Sequence, residues 1–96
     1  MRPSEALDAH RDDIRRIVSE NRSDNPRVFG SVLRGDDSDS SDLDLLVDPG
    51  PEASLMDIAR IQRNLEDLMG IAVDVLTPLS LPQSYRSRVE SEARPV

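Results

Sequence analysis

Polar and apolar positions alternate most clearly in "DLDLLVD", residues 42–48. An extended strand puts Asp42, Asp44, Leu46 and Asp48 on one face and Leu43, Leu45 and Val47 on the other. "PGP" at 49–51 stops it. A longer period governs "SLMDIARIQRNLEDLMG", 54–70, where Leu55, Ile58, Ile61, Leu65 and Leu68 recur at helical spacing. Ser54 is the expected N-cap, Asp57 follows three residues later, and Gly70 is the stop. "IAVDVLT", 71–77, is an apolar strand interrupted only by Asp74.

The flanks are weaker. "SEALDAHRDDIRRIVSE", 4–20, predicts one helix with Ser4 as N-cap and Leu7, Ile14, Ile17 and Val18 on one face. "NRSDNP", 21–26, reads as a turn-rich break, and "RVFG", 27–30, as a short strand. "SVLRG", 31–35, predicts a helical turn ending at Gly35, and "DDSDSS", 36–41, a polar loop. "PLSLP" turns the chain before a last helix, "QSYRSRVESEA", 83–93, with Arg86–Glu90 and Arg88–Glu92 pairs. The order predicts a single α/β domain over 1–96, with a three-stranded mixed sheet packed with helices. The first two strands are expected antiparallel. The second and third are expected parallel, joined by a right-handed crossover.

Composition narrows the chemistry. With no cysteine, disulfides and Cys-based zinc sites are excluded. A net charge of −7 disfavours direct binding to nucleic acid or anionic membrane. No apolar run approaches the roughly 20 residues of a bilayer span, and the N-terminus has no segment of signal-peptide type, so a cytoplasmic protein is expected. The chain has one Tyr, one Phe and no Trp, so its core must be aliphatic and thin. A partner covering an apolar face is expected.

Charge inside a strand then needs a reason. An ionised carboxylate in an apolar strand costs several kcal/mol unless it is neutralised. Asp42 and Asp44 point the same way, about 6–7 Å apart along the strand. A divalent cation removes their repulsion, and two carboxylates plus substrate phosphates are a usual way to hold Mg²⁺. Asp74, central on the adjoining strand, can add a third carboxylate. Such a set suits two metal ions and an in-line phosphoryl or nucleotidyl displacement. Gly30 and Ser31 stand at a strand-to-helix transition, where backbone N–H groups and a hydroxyl can cradle phosphate, and Arg34 can reach the same anion. Other polar residues carry plainer expectations. His10 is expected on a helix surface, and Asp36, Asp37 and Asp39 in a solvated loop. Tyr85 is expected beneath the last helix, with base stacking or self-modification as the competing reading, and Met56 and Met69 as core or interface filler.

"GSVLRGDDSDSSDLDLLVD" resembles the signature of the minimal nucleotidyltransferase (MNT) family, within the DNA polymerase β-like superfamily. Gly30, Ser31, Arg34, Gly35, Ser41, Asp42, Asp44 and Asp74 match that pattern, and the resemblance covers nearly the whole chain. It implies a nucleotidyltransferase-like α/β fold, ATP as substrate, and Mg²⁺ as two ions for which Mn²⁺ can substitute. By that resemblance Gly30 and Ser31 cradle phosphates, Asp42 and Asp44 hold both metals, and Asp74 binds the catalytic metal and helps deprotonate the acceptor. Arg34 contacts phosphate or braces the loop, and Ser41 orders the strand entrance. Small members resemble the antitoxins of HEPN/MNT toxin–antitoxin pairs. That implies a hetero-oligomer with a HEPN-type ribonuclease toxin, which is silenced by AMP transfer to a tyrosine. Two other functions compete: a non-catalytic antitoxin that occludes its partner, and transfer to a small molecule, which so short a chain is poorly equipped to grip.

Overall fold

The computed structural model describes residues 1–96, folded as α1 (Pro3–Ala9), α2 (Arg11–Glu20), β1 (Ser23–Phe29), α3 (Ser31–Arg34), β2 (Leu43–Pro49), α4 (Leu55–Met69), β3 (Val73–Leu76), a 3₁₀ turn (Pro78–Ser80), α5 (Gln83–Glu92) and β4 (Arg94–Pro95). One mixed sheet runs in the order β3-β2-β1-β4. The β1–β2 pair is antiparallel and β2–β3 is parallel, as expected.

The sheet has four strands, not three. Arg94 and Pro95 pair antiparallel with Val28 and Arg27, and the Val96 N–H donates to the Pro26 carbonyl at 3.0 Å. Two residues with a proline carry no alternation, so nothing local marks them as a strand; pairing with β1 makes them one. Proline is tolerated here because β4 is an edge. β1 also starts earlier than expected, inside "NRSDNP". The turn-forming residues sit at an irregularity between Asp24 and Arg27, where Asn25 takes a φ of 53°.

The first helix breaks at His10, which caps α1 with a φ of −129° and starts α2. Its N-cap is Arg2, not Ser4: Pro3 is the first helical residue, and the Glu5 carboxylate accepts from the Arg2 N–H at 3.0 Å. α4 follows its signals closely. Ser54 caps it, the Asp57 carboxylate accepts from the Ser54 N–H at 2.9 Å, and Gly70 ends it at φ 69°. Its buried stripe is Asp57, Ile61, Leu65 and Met69, whereas Leu55, 88% exposed, and Leu68 face solvent.

The core joins Ile14, Ile17 and Val18 of α2 to Leu43, Leu45 and Val47 of β2 and to Ile61 and Leu65 of α4. β2 is buried along both faces save at Asp44, Asp48 and its exposed last residue, Pro49. The outer edge of β3 is covered by α4: Gln62 accepts from the Val75 N–H and Glu66 from the Val73 N–H, both at 3.1 Å. No helix is long and apolar enough to cross a membrane.

Candidate active site

A cavity of about 550 Å³ opens beside the N-terminal half of β2. Its floor comes from Phe29 at the end of β1, Gly30 and Ser31 at the N-cap and first residue of α3, Asp42 just ahead of β2 and Asp44 within it. Arg34 and Ser41 continue the lining, and α5 completes it with Tyr85, Arg88, Val89 and Glu92. Volumes of about 300–1,000 Å³ are usual for small-ligand sites.

Gly30 is required by the local geometry. Its φ is 76°, and a Cβ on it would lie 3.1 Å from the Asp44 Cγ and collide with the Asp44 carboxylate oxygen. Backbone and carboxylate can approach so closely only because this residue has no side chain. Gly30 is the N-cap of α3, whose first N–H groups have no intrahelical acceptor. Gly35 closes the turn in the left-handed region at φ 77°. Ser41 orders the loop: its Oγ accepts from the Ser38 N–H at 2.9 Å. The loop is also tied to α1, because Asp37 accepts from the Ser4 N–H at 2.9 Å and that bond holds its carboxyl below the usual range. Of the three acidic residues expected to be merely solvated, Asp37 is thus tied to α1, while Asp36 pairs loosely with Arg34 at 3.5 Å and Asp39 with the N-terminal ammonium at 3.8 Å.

The three expected aspartates stand in different surroundings. Asp42 is exposed just ahead of β2, Asp44 is half-buried within it, and Asp74 is exposed on β3. Asp44 and Asp74 are register partners in the parallel pair, so their side chains leave neighbouring strands on the same face. Burial pushes the Asp44 carboxyl up to about 6, the charges of Asp74 and Asp42 add to the rise, and Arg34 opposes it. Asp42 and Asp44 reach the cavity, while Asp74 stands outside its lining. At no single point do three carboxylates or imidazoles gather closely enough to bind an ion alone. A cation held here therefore draws part of its shell from elsewhere. Mg²⁺ fits that description, since it binds through one or two carboxylates plus substrate phosphates.

The α5 wall was not legible beforehand. Tyr85 is 45% exposed and faces the cavity instead of packing beneath its helix. The Arg88–Glu92 pair forms at 3.4 Å, whereas Arg86 donates from Nη2 to the Leu81 carbonyl at 3.0 Å. Only the docking of α5 between the 3₁₀ turn and β4 brings these residues to the site, and that docking follows from tertiary structure. His10 is half-buried at the α1–α2 break, its Nδ1 3.0 Å from Asp13.

The sequence pattern of the nucleotidyltransferase domain family matches residues 11–96. MJ0435 of Methanocaldococcus jannaschii, named provisionally as a protein adenylyltransferase, is 39% identical over 66 residues, covering 69% of this chain and 71% of that protein. The protein adenylyltransferase MntA of Thermococcus cleftensis is 37% identical over 65 residues, covering 68% of this chain and 66% of its own length. A solved structure, provisionally that of a minimal nucleotidyltransferase, superposes with a TM-score of 0.87 at 38% identity, over 97% of this chain and 95% of the other. The fold also recurs in the crystal structure of a toxin–antitoxin with AMP-PNP, with a TM-score of 0.73 at 17% identity, over 88% and 69% of the two chains.

Proposed function

From the premise that this chain belongs to the nucleotidyltransferase domain family, we propose that it transfers AMP from ATP to a tyrosine hydroxyl of a HEPN-type toxin, which it thereby neutralises. The observation that carries this reading is Asp44. Its half-buried carboxylate is kept beside two like charges and under a glycine that only a close approach requires. A fold gains no stability from that arrangement; a site that binds cationic counter-charge does.

In this reading the triphosphate lies against the Gly30–Ser31 turn, where backbone N–H groups and the Ser31 hydroxyl donate to it. Arg34, exposed and only loosely paired with Asp36 at 3.5 Å, is free to turn to the same anion. Asp42, Asp44 and Asp74 would hold Mg²⁺, which when bound offsets the phosphate charge and polarises the α-phosphorus toward attack. The acceptor oxygen forms its bond to the α-phosphorus as the bond to the bridging oxygen breaks, and pyrophosphate leaves. Asp74 takes the acceptor proton. Its exposure on an edge strand suits an acceptor presented by another protein. Protein as the acceptor class is supported by the names of MJ0435 and MntA, and a toxin partner by the toxin–antitoxin that shares the fold.

The test is to incubate a HEPN-type protein, sought in the reading frame beside this gene, with the protein, Mg²⁺ and each nucleoside triphosphate in turn, and to read intact mass. A gain of whole adenylates on a toxin tyrosine, absent with Asp74→Asn, is expected. A toxin that is silenced with no mass gain would replace transfer by occlusion.

A further inference from the structure

The chain has two aromatic residues, Phe29 and Tyr85, and both line the cavity. Neither is in the core, whose cluster of 14 buried residues contains no aromatic ring. Rings are ordinarily the largest contributors to a core. Here they come from separate elements, β1 and α5, and one of them stays 45% exposed. The same cavity is lined by Val89 and by Arg88, whose planar guanidinium can itself stack.

We infer that Tyr85 and Phe29, with Arg88 and Val89, form a nucleobase platform that holds the base by stacking without reading its edge, so that the site accepts purine nucleotides as a class. The inference rests on the nucleotidyltransferase reading and adds its base selectivity. Discrimination between adenine and guanine needs donors and acceptors fixed against the base edge. The lining contains no Asn or Gln. On α5 the polar side chains facing the cavity are Tyr85, Arg88 and Glu92; all three are solvent-exposed, and Arg88 and Glu92 engage each other at 3.4 Å, so none is fixed against a base edge. A carboxylate could favour guanine, whose N1–H and N2–H₂ donate side by side, only if it were held against the base edge, and the exposed, Arg88-paired Glu92 is not. Stacking is indifferent to edge chemistry, because every base has a π-face, and it favours the larger purine surface.

Calorimetry with the β,γ-imido analogues of ATP, GTP and UTP, in Mg²⁺ and without any partner, tests this. The two purine analogues should bind within about 3-fold of each other and the uridine analogue clearly more weakly. Tyr85→Ala should weaken both purines by about 10-fold or more while Tyr85→Phe stays near wild type. Tyr85 sits on a helix with no buried residue, so the variants should melt like wild type. An ATP analogue bound more than about 10-fold tighter than its GTP counterpart would mean that an edge is read and overturns the inference. Unchanged purine affinity in Tyr85→Ala overturns it as well, as does absence of binding by all three analogues. Selective purine binding beside an unmodified toxin leaves the platform intact and removes the proposed acceptor instead.

Discussion

Asp44 and Asp57 both leave bulk water, and the protein treats them in opposite ways. Asp57, 2% exposed, is surrounded by donors. It accepts from the Ser54 N–H at 2.9 Å, from Arg60 at 2.9 Å and from Arg22 at 3.0 Å. Arg60 also reaches the buried Asn21 at 3.2 Å, so one carboxylate joins the end of α2, the start of β1 and the start of α4. The Ser54 backbone bond, aided by the two arginines, holds its carboxyl below the usual range. Asp44 has no such company. Its neighbours are Asp74 and Asp42, and its carboxyl is pushed up to about 6. An aspartate whose charge the fold satisfies is structural; one whose charge the fold leaves unsatisfied awaits something the fold does not contain.

The contrast is broken most severely by Asp74→Asn. Loss of the acceptor-side carboxylate should lower kcat by about 100-fold or more with little change in nucleotide affinity, the signature of a general base. Single-turnover transfer with a binding titration alongside checks both parts; equal losses in kcat and affinity would move Asp74 to the nucleotide side. Next in size is Asp57→Ala, which removes a cap and two ion pairs from a buried position. It should lower Tm by roughly 5 °C or more yet leave nucleotide affinity unaltered. Gly30→Ala should do both kinds of harm, because the strained φ and the contact with Asp44 fall on fold and site together. A Gly30→Ala protein with wild-type Tm and nucleotide affinity would show that the close approach is dispensable.

The smallest effect is the most diagnostic in sign. With the folded pKa of Asp44 raised from 3.8 to about 6, its protonated form is favoured by folding. That contribution is complete below the unfolded pKa and is lost as pH rises toward 6. In chelator, Asp44→Asn should therefore melt like wild type near pH 4 and a little higher than wild type at pH 7. Asp57→Asn should behave inversely. Its carboxyl is held low, so the deficit is full at neutral pH and closes as pH falls through the carboxylate range. Thermal melts across pH 4–7 decide it; an Asp44→Asn deficit at pH 7 would show that the charge is satisfied after all.

Legibility in the sequence tracked how local each cause was. α4 and β2 could be read because their caps, stops and periods lie within their own residues. The parallel pairing of β2 with β3 followed from the crossover, so Asp74 near Asp42 and Asp44 was within reach, whereas the register that sets it opposite Asp44 was not. Asp57 was recognised only as a capping residue; Arg22 and Arg60, which bury it, lie 35 and 3 residues away, and only one of these can be guessed from helical spacing. β4 and the α5 wall were invisible because no residue in "EARPV" or "QSYRSRVESEA" states what it will dock against. α5 has no buried residue, so its place is set from its two ends, through Leu81 and through the pairing of β4 with β1. Tyr85 was misplaced for the same reason. A lone aromatic on a weakly amphipathic helix reads as core until the helix is placed.

The central claim is that Asp42 and Asp44 form a cation-dependent nucleotide site, and calorimetry of ATP against the protein with and without Mg²⁺ tests it most directly. Binding should appear with Mg²⁺, fall by about 10-fold or more when the ion is chelated, and be lost to the same extent in Asp42→Asn/Asp44→Asn whether or not the ion is present. Equal ATP affinity with and without Mg²⁺, or wild-type affinity in the double variant, would contradict the account.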